Sequence, residues 1–150
     1  MRAAGRNRAM TGAFACALVA CLMFVATAEA ARIEVTAKIT HSTAIAFPPA
    51  GRAGDAEAQQ WVVRDRYGNA IGDMLIDCRW VTSGLRLCVG QMSLPRGVLA
   101  MIGASRTRFV GQLAIVGGTG HYDSAGGTML FKATGTGRYV LSVQYETKEG

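Results

Sequence analysis

The sequence predicts an all-β fold, a single antiparallel β-barrel of about eight strands. Two observations carry this. Short segments rich in β-branched and aromatic residues recur at close spacing, separated by turn residues, which is the sequence form of a sandwich or barrel. Within them apolar and polar residues alternate with period two, as a closed barrel with one packed interior requires. Beyond residue 30 there is little sign of the 3.6-residue apolar repeat of a helix.

The first expected strand, Arg32 to Thr40, groups Ile33, Val35, Ala37 and Ile39 opposite Glu34, Thr36 and Lys38. Ala44 to Ala58, with Pro48-Pro49 and Gly51 to Gly54, is the one long irregular segment, either an entrance loop over a barrel mouth or a linker. The second strand, Gln60 to Asp65, puts Trp61, Val63 and Asp65 on one face, and Tyr67-Gly68-Asn69 turns the chain. In the third, Ala70 to Val81, Ile76, Cys78 and Trp80 share a face while Asp77 and Arg79 point the other way. The fourth is Leu85 to Leu94, ended by Pro95-Arg96-Gly97, and the fifth is Val98 to Ile102. The sixth, Phe109 to Val116, is apolar on both faces, with Leu113 and Ile115 against Val110, Ala114 and Val116. That is the form of a subunit interface, and it predicts a homo-oligomer. Thr128 to Thr134 is the seventh, Gly135-Thr136-Gly137 a turn, and Arg138 to Glu146 the last, with Tyr139, Leu141, Val143 and Tyr145 on one face.

The hairpin between the third and fourth strands fixes a cysteine register. If Thr82-Ser83-Gly84 is a three-residue loop with Gly84 at positive φ, Val81 opposes Leu85 and Cys78 faces Cys88. A non-hydrogen-bonded pair there has Cα atoms ~4.5 Å apart, within disulfide reach, and a Cys78–Cys88 disulfide is predicted; the alternative is two buried thiols.

Residues 1–30 read as a signal peptide: Arg2, Arg6 and Arg8, then an apolar run from Ala13 to Thr27, then Ala28-Glu29-Ala30 as a cleavage site. The expectation is a secreted or periplasmic protein with one domain, residues 31–150, and cysteines in an oxidising compartment. A lipoprotein anchored at Cys21, after Leu18-Val19-Ala20, is the competing reading. The apolar run falls short of the ~20 residues a spanning helix needs, so no permanent membrane span is expected. Cleavage removes three of sixteen basic residues and one of ten acidic, lowering the net charge from +6 to +4. Arg52, Arg64, Arg66, Arg79, Arg86, Arg96, Arg106, Arg108 and Arg138 are scattered, which reads as a solvated outer face and predicts no nucleic-acid partner.

After the sixth strand comes Gly117-Gly118-Thr119-Gly120-His121-Tyr122-Asp123-Ser124-Ala125-Gly126-Gly127. Asp123 stands where the third glycine of a dinucleotide loop belongs, and the chain continues as strand, so no helix N-terminus is offered to a phosphate. As G-G-T-G-x-Y-x-x-A-x-G, through Gly117, Gly118, Thr119, Gly120, Tyr122, Ala125 and Gly127, the stretch resembles the signature of the allene oxide cyclase and dirigent β-barrel superfamily. The resemblance runs from about Gly54 to Tyr145. It implies a barrel that holds a small hydrophobic molecule and steers its cyclisation or coupling by position, as a cofactor-free isomerase or cyclase, with neither metal nor organic cofactor. Cys78 is similar in position to a cysteine lining the cyclase pocket, a role a disulfide would remove. No counterpart of the cyclase's active-site glutamate is found around Lys38 to Ser42.

Catalytic groups are few. His41 and His121 lack metal-ligand spacing, so no metal site is expected, and there is no G-x-S-x-G elbow. The candidate ligand pocket is an interior lined by Trp61, Val63, Asp65, Trp80, Tyr139 and Tyr145. Asp65 is either an acid whose pKa desolvation raises or a strand end in water. The competing reading of the whole chain is a non-catalytic secreted barrel acting as a carrier or a protein-interaction module.

Overall fold

The structure, a computed structural model, describes residues 30–45, 52–106 and 109–147. The expected signal segment, Cys21 and Pro48-Pro49 lie outside the described residues. Among the described residues the strands are β1 (Ala31–Ile45), β2 (Ala56–Arg64), β3 (Ala70–Thr82), β4 (Leu85–Leu94), β5 (Gly97–Ser105), β6 (Val110–Gly118), β7 (Gly126–Gly135) and β8 (Arg138–Glu146). A 3-10 turn, Gly120–Tyr122, lies between β6 and β7. Each strand pairs antiparallel with the next, and β8 returns to β1, so the sheet closes into a barrel. Closure leaves no unpaired sheet edge.

Alternation sorts the strands as their sequences suggest. β8 buries Tyr139, Leu141, Val143 and Tyr145 and exposes Arg138, Val140 and Gln144. The interior is dense: Met74, Met92, Leu99, Met101, Leu113 and Met129 are all fully enclosed. Unbranched methionines fill the irregular spaces that a tilted barrel leaves between β-branched and aromatic groups. β1 and β2 run further than expected, because Ala44, Ile45 and Ala56 to Ala58 belong to their hairpin, with Ile45 opposite Ala56.

The cysteine register is as expected, and the turn that produces it is not. Cys78 pairs with Cys88 and is bonded to it, with Cα atoms 4.0 Å apart. Thr82, not Val81, opposes Leu85, leaving a two-residue turn, Ser83-Gly84, and a register shift between Trp80 and Thr82. Val81 is thus the extra residue of a bulge, and Gly84 is not among the positive-φ glycines. A shorter turn and a bulge on the third strand shift the register oppositely, so they arrive at the same cysteine pair.

Candidate functional site

The glycine motif is a plug at one end of the barrel. β6 ends at Gly118, the chain crosses the start of β5 with Thr119 N–H donating to Val98 C=O at 2.8 Å, and the 3-10 turn inserts the buried Tyr122. A Cβ on Gly118 would lie 2.3 Å from the Val98 carbonyl oxygen and 2.6 Å from that of Tyr122, and Gly120 has φ +63° with the Arg96 carbonyl beside it. Only glycine allows this approach. Tyr122 packs edge-on to Tyr145, ring centroids 5.3 Å apart. Burial, then the neighbouring Tyr145, pushes the Tyr122 phenol above its ordinary value of 10.0, with Arg96 opposing. Tyr145 therefore packs against this plug.

The opposite end is polar inside. β2 places Glu57, Gln59, Trp61 and Val63 on its inner side, and β4 places Arg86 and Cys88 on its own. Glu57 Oε2 lies 3.5 Å from Arg86 Nη1, with both side chains buried. Gln59 Nε2 donates to Glu57 Oε1 at 2.8 Å, and Trp61 Nε1 donates to Gln59 Oε1 at 3.1 Å. A chain of polar groups thus descends from the rim to the indole. Trp61 stacks tilted on Tyr139 at 4.3 Å, and Phe131 meets Tyr139 edge-on at 6.3 Å. Between the polar chain and the aromatic floor is a cavity of about 20 Å³ bordered by Gln59, Trp61, Met74, Arg86, Phe131 and Tyr139, and also by Cys78. That is room for one water molecule.

The expected pocket residues are therefore divided. Trp61 and Tyr139 border the cavity, and Val63 lies one step deeper in the packed core. Trp80 is half-buried at the rim, where the bulge turns β3, with the Arg86 guanidinium 6.0 Å from its ring centre. Asp65 is in the β2–β3 turn, outside the interior. Its carboxylate accepts from the Asn69 side chain at 3.1 Å and from the backbone N–H of Tyr67 and Asn69 at 2.8 and 2.9 Å. These bonds, the Asn69 amide first, hold its pKa below the ordinary 3.8, the reverse of the raised acid that is one of its two expected settings; Asp65 stands just past the end of β2, in keeping with the other. His121 and His41 lie apart on the surface, His121 accepting at Nδ1 from Arg96 at 2.8 Å.

Sequence reasoning missed Glu57 and Arg86. Arg86 counted among the solvated arginines, yet it is buried. The signals existed: stepping back by two from Trp61 gives Gln59 and Glu57, and stepping back by two from the inward Cys88 gives Arg86. The first was lost because the second strand was begun at Gln60. On the outer surface a shallow groove of about 570 Å³ crosses β1 to β5 over Leu75, Asp77, Val89, Gln91 and Ala100.

No family model and no curated protein matches this chain. Solved structures do. Pyocyanin demethylase superposes with a TM-score of 0.71 at 17% identity, covering 77% of this chain and 99% of that one. The Diels–Alderase AbmU from Streptomyces koyangensis gives 0.66 at 18% identity over 77% of this chain and 64% of its own, so this chain spans just under two thirds of it. The pterocarpan synthase dirigent protein PsPTS1 gives 0.62 at 15% identity over 81% and 97%. At such identities the likeness is one of fold: this chain has the barrel of the cyclase and dirigent proteins that its glycine motif resembles.

Proposed function

We propose that this barrel binds a small, mostly apolar molecule carrying one polar group at the Arg86 end of its interior, and steers that molecule's cyclisation or coupling by position. The observation that carries the reading is the buried Glu57–Arg86 pair set over an aromatic floor. An ion pair removed from water gains little stability over an apolar pair of the same size. Facing a cavity, the same pair is a preorganised donor and acceptor for a ligand carbonyl or hydroxyl, while Trp61, Phe131 and Tyr139 hold the apolar body. Barrels of the same fold include a Diels–Alderase and a dirigent pterocarpan synthase, which supports chemistry by positioning. The cavity of about 20 Å³ is far below the ~300 Å³ a ligand needs, so binding requires lining side chains such as the unbranched Met74 and Met129 to move. In this reading residues 1–30 are removed on export and the 31–150 domain works in an oxidising compartment, in keeping with the Cys78–Cys88 bond.

The small cavity also favours a second reading, a filled barrel whose outer surface binds a partner. The groove over Leu75 and Val89, continued by exposed Ile102 and Val116, offers apolar area for a partner protein or for a second copy. Native mass spectrometry of the exported protein separates the two. A retained ligand of a few hundred daltons, lost in the stability-matched Glu57→Gln/Arg86→Met, supports the interior site. An apo mass, with no small apolar compound retained by wild type, favours the interaction module.

A further inference from the structure

From Val110 to Gln144, the span of β6, β7 and most of β8, the only acid is Asp123, and it lies at the Tyr122 end. The cations of this part of the barrel gather at the other end. Lys132 is outward on β7, Arg138 opens β8, and Arg106 ends the described part of the β5–β6 connection, all exposed. Lys38, outward on β1, sits directly opposite Arg138 in the β1–β8 ladder. Opposed like charges destabilise a sheet. The ion pairs among the described residues, Arg32–Glu34 and Glu57–Arg86, include none of these four.

The same surface is apolar between its charges. Phe109 is 70% exposed, Val110 58%, Leu130 49% and Val140 40%. They are contiguous: the ladders set Val110 beside Lys132 and Lys132 beside Val140, and Phe109 C=O accepts from Ala133 N–H at 2.6 Å.

We infer that this face, made by the Arg86-end halves of β6, β7 and β8 with Lys38 of β1, docks on an anionic lipid bilayer surface. Charge complementarity selects an anionic partner, and the apolar groups select which kind. Aliphatic valines and leucine offer nothing to a phosphodiester backbone, and a single phenylalanine is no stacking platform for bases. Placed at the headgroup boundary, Phe109, Val110 and Val140 leave water while the lysines and arginines meet lipid phosphates. A protein docked in this way keeps its barrel outside the bilayer.

The test is co-sedimentation of the full chain, as its cells process it, with phosphatidylcholine vesicles containing or lacking about a third phosphatidylglycerol. Wild type and variants carry the same N-terminal segment, so the variant difference reads the barrel face alone. The expected result is partitioning that needs phosphatidylglycerol and weakens as salt is raised. Lys132→Gln/Arg138→Gln, both exposed, should partition about thirtyfold more weakly, from about 1 kcal/mol per charge, at a melting temperature no lower than that of wild type, since the Lys38–Arg138 opposition is relieved. Phe109→Ser should weaken vesicle binding several-fold and leave any binding to a single-stranded oligonucleotide unaltered. Equal partitioning of the double variant and wild type overturns the inference. So does vesicle binding that is indifferent to Phe109→Ser and matched by the oligonucleotide, which would make the face a general polyanion surface.

Discussion

Replacing Glu57 by Gln keeps the side-chain shape and the carbonyl that accepts from Gln59, and removes only the charge facing Arg86. At 3.5 Å and an effective dielectric near 20, the attraction between the two charges is about 4–5 kcal/mol. In the wild type most of it is offset by the desolvation of two buried ions. In the variant the offset stays with Arg86 and the attraction is gone. Glu57→Gln should therefore lose about 3–5 kcal/mol. With a urea slope near 1.5 kcal/mol/M for a domain of this size, the midpoint should fall by about 2–3 M. The double variant Glu57→Gln/Arg86→Met removes the buried guanidinium as well and keeps the stem volume. It should return to within about 1 kcal/mol of wild type, or exceed it. Equilibrium urea unfolding followed by tryptophan fluorescence reads all three, since Trp61 stands at the bottom of the polar chain. A Glu57→Gln midpoint within experimental error of wild type, at unchanged slope, would refute the reasoning, because it would mean water reaches the pair and screens it.

Other outcomes follow from the same structure. Replacing Cys78 and Cys88 together by Ala should cost about 2 kcal/mol, below the ~3 expected for so short a loop because the hairpin already restrains the unfolded ends, and reductant should destabilise wild type but not this variant in thermal melts. Gly118→Ala puts a methyl between two backbone carbonyls that cannot yield, and should lower stability by about 2–4 kcal/mol while Gly84→Ala, where a Cβ meets nothing within 4 Å, changes little in the same unfolding assay. Tyr122 is held neutral by burial, so its contribution is fully present below the unfolded value of 10.0 and is lost as pH rises toward the higher folded value; Tyr122→Phe should flatten that alkaline limb of a stability–pH curve. Asp65 has the opposite sign: its contribution is present above 3.8 and lost as pH falls through the lower folded value, and Asp65→Asn should remove that part of the acid limb.

The sequence by itself determined what depends on near neighbours. Period-two alternation assigned inner and outer faces, because successive side chains of a strand cannot do otherwise. The turns at Tyr67-Gly68-Asn69, Pro95-Arg96-Gly97 and Gly135-Thr136-Gly137 placed the strand ends beside them, and one hairpin brought Cys78 to Cys88 across ten residues. The glycine motif identified the barrel type, since Gly118 and Gly120 stand where backbones touch. The tertiary structure alone decided what depends on closure. Glu57 and Arg86 are twenty-nine residues apart and meet only because both face inward at the same end of a closed, tilted sheet. Alternation told inside from outside but not mouth from floor, so Trp80 and Tyr145, sharing the inner phase of their strands with Trp61 and Tyr139, went to the rim and to the opposite plug. The cavity volume was beyond sequence as well, because it is a small difference between the space the barrel encloses and the summed size of every side chain inside it. The cationic face assembled in the same way: Phe109, Lys132, Arg138 and Lys38 come from four segments, and only strand pairing makes them one surface.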